Sequence, residues 1–275
     1  MNPSRRRAGF CARIVMCILA ATSGASPAPA WAGAWPQPEG EGQIITSYFS
    51  TEADEAFGPD GKVRPKTRYT KQEIASYAEY GWTKDTTLLA EIAYTKDDTD
   101  FFGEHHRQQG LSRAELGARY AIGTWQDTLF SVQALAALHG TSSGDDPASS
   151  RRGDIDGEVD ITLGRSFTLL GIEGFSDTVI GYRLRPGGRA DEAKTNITLG
   201  IRPFSRTMLL LKSENFATVS GGHQTAADVT RNKLGLSLVR EITPTISLEL
   251  GGMKTISGRN SLRETSLNLG LWYRF

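Results

Sequence analysis

Residues 266–275 read Ser-Leu-Asn-Leu-Gly-Leu-Trp-Tyr-Arg-Phe. Leu267, Leu269, Leu271, Tyr273 and Phe275 alternate with Ser266, Asn268, Gly270, Trp272 and Arg274. A period of two places one set on each face of a strand, so this stretch is a strand with one continuous apolar face. The same alternation recurs upstream in Ile246, Leu248, Leu250; in Leu234, Leu236, Leu238; in Ile197, Leu199, Ile201; and in Val159, Ile161, Leu163. Weaker versions run through Ile180–Leu184 and Leu88–Tyr94. Residues 44–51, 69–82, 111–122, 128–139 and 207–216 complete a set of twelve expected strands. Most span 9–13 residues, longer than the roughly 5–6 typical of soluble proteins. That length matches the about 9–11 tilted residues needed to cross a hydrocarbon layer.

The connections alternate in length. Short ones are expected at 83–85, 123–127, 168–173, 203–206 and 242–244, and long polar ones at 52–68, 96–110, 140–155, 186–193, 217–228 and 257–263. An even number of strands with short turns on one rim and long loops on the other describes an antiparallel up-and-down transmembrane β-barrel of about 12 strands. Both termini then fall on the short-turn, periplasmic side. A soluble sandwich also alternates, but three features oppose it. Glycine recurs on the polar face (Gly81, Gly117, Gly164, Gly181, Gly200, Gly235, Gly251, Gly270), where it suits a crowded lumen and would only weaken a water-facing sheet. Aromatic residues gather near both strand ends: Tyr80, Trp82, Tyr120, Phe130, Tyr273 and Phe275 at one, Tyr69, Tyr94, Tyr182 and Phe216 at the other. No thiol remains after residue 32 to cross-link an exported core.

The chain has 275 residues, 39% hydrophobic and 23% charged, with a formal net charge of zero and a mean hydropathy of −0.33. That charge balance argues against a nucleic-acid partner, which needs a clustered basic surface. The first 32 residues carry Arg5, Arg6 and Arg7, an apolar run from Ile14 to Ala21, and the small-residue triplet Ala30-Trp31-Ala32. This is the pattern of a cleaved secretory signal peptide. The expected organisation is therefore a signal peptide over 1–32, a short periplasmic segment over 33–42, and a transmembrane barrel over 43–275. Cleavage removes both cysteines, Cys11 and Cys17, and leaves 27 basic and 31 acidic residues.

The last ten residues resemble the C-terminal signal of Gram-negative outer-membrane barrels, with a terminal aromatic, a second aromatic two residues earlier, and apolar residues at alternate positions. The resemblance implies Leu267, Leu269, Leu271, Tyr273 and Phe275 as an assembly signal, the barrel-assembly machinery and periplasmic chaperones as partners, and the bacterial outer membrane as location. Beyond that strand the chain resembles porin-like and solute-transporter barrels loosely, with no motif that carries over a substrate.

Projecting the polar face inward lines the expected lumen with Lys71, Glu73, Tyr77, Glu79, Glu91, Arg113, Glu115, Arg119, Gln133, Glu158, Asp160, Asp177, Arg183, Arg202, Lys212, Glu214, Lys233, Glu249, Glu264 and Arg274. Twelve strands about 4.8 Å apart, tilted by about 40°, enclose a backbone cylinder of about 12 Å radius. Long side chains either bridge that space or leave a narrow bore. The expectation is a hydrophilic channel passing small solutes or ions with slight cation preference. The alternative is a closed structural or surface-interaction barrel, and a surface hydrolase is the remote third reading. No enzyme activity, cofactor or metal site is expected. His105 and His106 lie among Asp97, Asp98, Asp100 and Glu104, a cluster better read as a solvated loop than as a catalytic or metal site. Asp154-Ile-Asp156-Gly157-Glu158 lacks the full calcium-loop pattern. Arg151, Arg152, Arg189, Arg231, Arg259 and Arg263 fall in the long loops, where lipopolysaccharide phosphates are candidate partners.

Overall fold

The structure is a computed structural model that describes residues 33–101, 104–140, 155–187, 189–219 and 228–275; the first 32 residues and most of the 140–155 and 217–228 connections lie outside it. The described residues form one antiparallel sheet closed on itself. In chain order its strands are β1 (Gly42–Phe57), β2 (Val63–Gly81), β3 (Thr86–Phe101), β4 (Glu104–Trp125), β5 (Thr128–His139), β6 (Ile155–Leu169), β7 (Ile172–Leu184), β8 (Asp191–Phe204), β9 (Thr207–Val219), β10 (Thr230–Glu241), β11 (Ile246–Arg259), β12 (Ser261–Leu262) and β13 (Thr265–Arg274). The long strands pair with their neighbours around the ring, and β1 closes it between β2 and β13. Along that seam Gln43 pairs with Arg274 and Glu52 with Thr265. The two-residue β12 continues the same edge through Ala56↔Leu262 and Phe57↔Ser261. The architecture is thus a twelve-stave barrel plus one short extra strand. Closure leaves no edge with unpaired backbone groups, the condition for a sheet to sit in hydrocarbon.

The outer face carries the apolar half of each alternation. Leu116, Leu236, Leu250, Leu267, Leu269 and Leu271 all have large exposed side chains, which in water would be a continuous hydrophobic surface and in a bilayer is the lipid contact. Tyr273 and Phe275, the aromatic members of the expected assembly signal, are exposed on that face as well, and their rings stack at 5.9 Å. The opposite face buries Glu79, Glu115, Arg119, Glu158, Asp160, Asp177 and Glu249, so the polar half of the pattern points into the barrel.

At one rim the turns are tight. Gln126 and Asp127, Leu170 and Gly171, and Arg206 adopt positive φ, the backbone that matches two-residue turns to strand twist. At the other rim the structure departs from the expected loops. β1 runs on to Phe57 and β2 starts at Val63, β3 reaches Phe101 and β4 starts at Glu104, and β11 continues to Arg259. Much of 52–68, 96–110 and 257–263 is therefore paired strand. In these extensions polar residues stand on both faces, so the apolar alternation stops while the hydrogen-bond ladder continues.

Candidate functional site: the lumen

Residues 33–38, placed by sequence in a short periplasmic segment, lie within the barrel. The chain enters where β2 ends: Gly40 N–H donates to the Gly81 carbonyl (2.9 Å) and Gly81 N–H to the Glu41 carbonyl (2.9 Å). It then crosses to the far wall. Gln37 N–H donates to Thr87 Oγ1 on β3 (2.9 Å), and Gln37 Nε2 to Glu79 Oε2 on β2 (2.5 Å). Arg119 on β4 donates to the Trp35 carbonyl (2.9 Å). Ser131 Oγ on β5 donates to the Ala34 carbonyl (2.6 Å), and Ala34 N–H donates to Asp177 Oδ2 on β7 (2.6 Å). The Trp35 ring meets Phe175 edge to face at 5.9 Å, and Ala34 is fully buried. All these wall residues lie near the short-turn ends of their strands.

Two glycines make the crossing possible. A β-carbon at Gly81 would fall 2.0 Å from the Pro38 carbonyl oxygen, and one at Gly164 would fall 2.8 Å from the Ala34 β-carbon and 3.0 Å from the Trp35 ring. These positions hold glycine because another stretch of chain passes against them.

Glu79 anchors the crossing to the wall. Its carboxylate accepts from Arg119 (2.9 Å), Tyr77 (2.6 Å), Gln37 and Gln43 (3.2 Å). Both Glu79 and Arg119 are almost entirely buried. A buried ion pair is tolerable when further hydrogen bonds satisfy its remaining valences, and the tyrosine and the two glutamines do so here. Leu89, Phe175, Met208, Leu210, Val239 and Trp272 are also buried and share the parity of the lumen face. The short-turn half of the barrel interior is consequently a small mixed core.

Above it, toward the long-connection rim, lies a cavity of about 550 Å³. Its wall includes Glu91, Arg113, Glu115, Glu158, Arg183, Glu192, Lys194, Asn196, Glu214 and Arg231. The charges form a chain of pairs. Arg113 bonds Glu91 and faces Glu115 at 3.8 Å; Arg183 bridges Glu115 (3.1 Å) and Glu158 (2.6 Å); Lys194 joins Glu158 and Asp160 (3.3 Å). Arg231 stacks over Phe216 at 5.5 Å. Five carboxylates and four cations line this space, so its net charge is small and its local field is strongly patterned.

The remaining expected lumen residues fall into separate groups. Lys71 pairs with Glu73 (3.0 Å), Lys212 with Glu249 (2.7 Å) and Lys233 with Glu264 (2.5 Å). Gln133 bonds Asp160. Arg202 sits by the short-turn rim opposite Glu173, and Arg274 reaches Ser247 Oγ there (3.3 Å); neither belongs to the cavity.

Several sequence expectations need correction. Tyr69 and Phe216, expected in an aromatic girdle, have lumen parity: Tyr69 donates to Asp97 (3.3 Å) and Phe216 lines the cavity. Arg189, Arg231 and Arg263, named as candidates for lipopolysaccharide phosphates, have partners within the protein, Arg189 with Asp156, Arg231 with Phe216 and Arg263 with Glu55. Glu192, Lys194 and Asn196 are absent from the expected lumen set, because the apolar alternation of β8 is legible only from Ile197 onward. Extending the opposite parity, that of Gly200 and Thr198, back by two residues at a time reaches all three. The His105 side chain lies outside the described set, and Arg151 and Arg152 lie outside the described residues. Among the described residues, no group of three or more His, Cys, Asp or Glu side chains is arranged to hold a metal.

A closed, up-and-down, polar-lined barrel of this kind is the fold of the bacterial outer-membrane β-barrels. Among solved structures the chain is similar to an outer membrane channel from Pseudomonas putida F1, with a TM-score of 0.65 and 13% identity, covering 88% of this chain and 98% of that one. It is also similar to the translocator domain of the autotransporter NalP from Neisseria meningitidis, with a TM-score of 0.52 and 12% identity, over 87% and 90% of the two chains. At such identities the likeness is one of fold. No protein-family model and no curated protein matches the sequence.

Proposed function

We propose that the protein resides in the bacterial outer membrane after export by a cleaved signal peptide, short turns toward the periplasm, and forms a narrow hydrophilic passage for small solutes or ions. The observation that carries this reading is the cavity of about 550 Å³ lined by paired charges. A barrel serving only as a structural wall gains nothing from such a space, whereas a solute pathway needs polar groups that replace hydration without binding too tightly. The similarity in fold to a P. putida outer membrane channel supports the same reading. Lys194 and Arg183 sit against Glu158 and Asp160, so cation preference is slight. Replacing Glu158 and Asp160 by Gln and Asn frees Lys194, leaves Arg183 only its pair with Glu115, and is expected to move selectivity toward anions.

The filled short-turn half favours a second reading, a closed barrel with a structural or surface-binding role. Conductance in planar bilayers separates the two. Discrete steps from purified protein support passage; their absence at every voltage and salt concentration leaves the closed barrel. An enzyme reading draws no support from the described residues' geometry.

A further inference from the structure

Asp177 is 5% exposed, and among the described residues its one hydrogen bond comes from the Ala34 backbone N–H (2.6 Å). Arg119, the cation that acts on it, is already committed to Glu79 and to the Trp35 carbonyl. A buried carboxylate with a single neutral donor is costly, and such groups are ordinarily paired. Gly33 is the residue that presses on it. A β-carbon at Gly33 would lie 1.7 Å from Asp177 Oδ2 and 2.2 Å from Oδ1. The Gly33 nitrogen is two bonds from that point, which places it within about 4 Å of the carboxylate. Gly33 also directly follows Ala30-Trp31-Ala32, the small-x-small triplet of a signal-peptidase site.

We propose that cleavage after Ala32 creates the partner of Asp177: the new α-ammonium of Gly33 forms a buried ion pair with this carboxylate and locks the N-terminal segment across the lumen. The inference rests on the export reading above. Water, delivered by a signal peptidase, hydrolyses the Ala32–Gly33 amide. The C–N bond breaks, Ala32 takes the hydroxyl as a carboxylate, and the released Gly33 amine takes up a proton. Processing and docking of the N-terminal segment are thereby coupled. In the precursor the Gly33 nitrogen is a neutral amide and the carboxylate lacks its cation. In the mature chain the positive charge stands beside it. Glycine is required at position 33 because the carboxylate occupies the place of a side chain.

The test uses mature protein isolated from the outer membrane. Its N-terminal sequence is expected to begin Gly33-Ala34-Trp35; a mature terminus at another residue overturns the proposal. Two variants then remove the pair in different ways. Asp177→Asn removes the anion, and insertion of two serines between Ala32 and Gly33 carries the ammonium away by up to about 7 Å of chain. Each is expected to raise amide hydrogen exchange in the 33–41 peptide by about tenfold or more, the factor given by each 1.4 kcal/mol of lost interaction. The combined variant should exchange no faster than either alone, because both remove one pair. Unchanged protection after the serine insertion, in barrels that retain heat-modifiable migration, overturns the proposal. The exchange readout is independent of conductance, so docking of the terminus and the passage of solutes can fail separately.

Discussion

Replacing Gly164 by valine should eject the N-terminal segment while sparing the barrel. The position lies on the lumen face of β6, between Leu129 on β5 and Asp177 on β7. A β-carbon there meets the Ala34 β-carbon at 2.8 Å and the Trp35 ring at 3.0 Å, against an optimum of about 3.5–4.0 Å for carbon pairs. Ala34 has little freedom to retreat, since its N–H is held by Asp177 and its carbonyl by Ser131, each at 2.6 Å. Valine adds two methyl groups beyond that clash, and overpacking of this kind costs about 1–3 kcal/mol. The whole penalty falls on the docked state. With the segment displaced, the valine faces an open lumen, and a β-branched residue suits a strand better than glycine. The ratio of displaced to docked molecules should therefore rise about 5- to 150-fold. Hydrogen exchange of the 33–41 peptide reads that ratio directly when opening is local. Thermal unfolding of the barrel should be unchanged or slightly raised. Unaltered protection in the variant would refute the argument that Gly164 exists to admit this segment.

Three further outcomes are expected. Leu199→Arg, on the exposed outer face, should cost about 2–4 kcal/mol of barrel stability in lipid vesicles, whereas Asn196→Arg, on the cavity wall of the same strand, should stay within about 0.5 kcal/mol; equal costs would invert the assignment of faces. Arg119→Met should destabilise folding by about 3–5 kcal/mol, because it strands the buried Glu79 carboxylate, and pairing it with Glu79→Leu should recover most of the loss in denaturant titrations. Deleting Phe275 should lower the yield of heat-modifiable barrel in the outer membrane without changing export across the inner membrane, and a normal yield would show that the terminal aromatic is not part of the assembly signal.

Strand number, face assignment and the rim of tight turns are all legible from period and connection length. Those are local properties. Whether Leu248 or Glu249 faces lipid follows from parity, and parity needs no knowledge of what lies across the barrel. The long-connection rim is less legible. Beyond the bilayer both faces of a strand are polar, so Lys96 to Phe101 and Glu104 to Gly110 carry no alternating signal although they pair. Parity populates the charged lumen with Glu79, Arg119, Glu158 and Arg183 but does not say which of them pair, because a bridge such as Arg183 to Glu115, 68 residues apart, depends on which strands the closed ring brings face to face.

The alternating sequence by itself determined that this chain closes an apolar surface around a polar interior, since closure satisfies both faces of twelve such strands at once. What occupies that interior was decided by tertiary structure. Trp35 and its neighbours carry no periodicity, and the bond from Ala34 to Asp177 spans 143 residues. Only after the ring has closed do a buried carboxylate, a serine hydroxyl and a glycine gap stand together on one wall, and only then has the N-terminal segment anything to dock against.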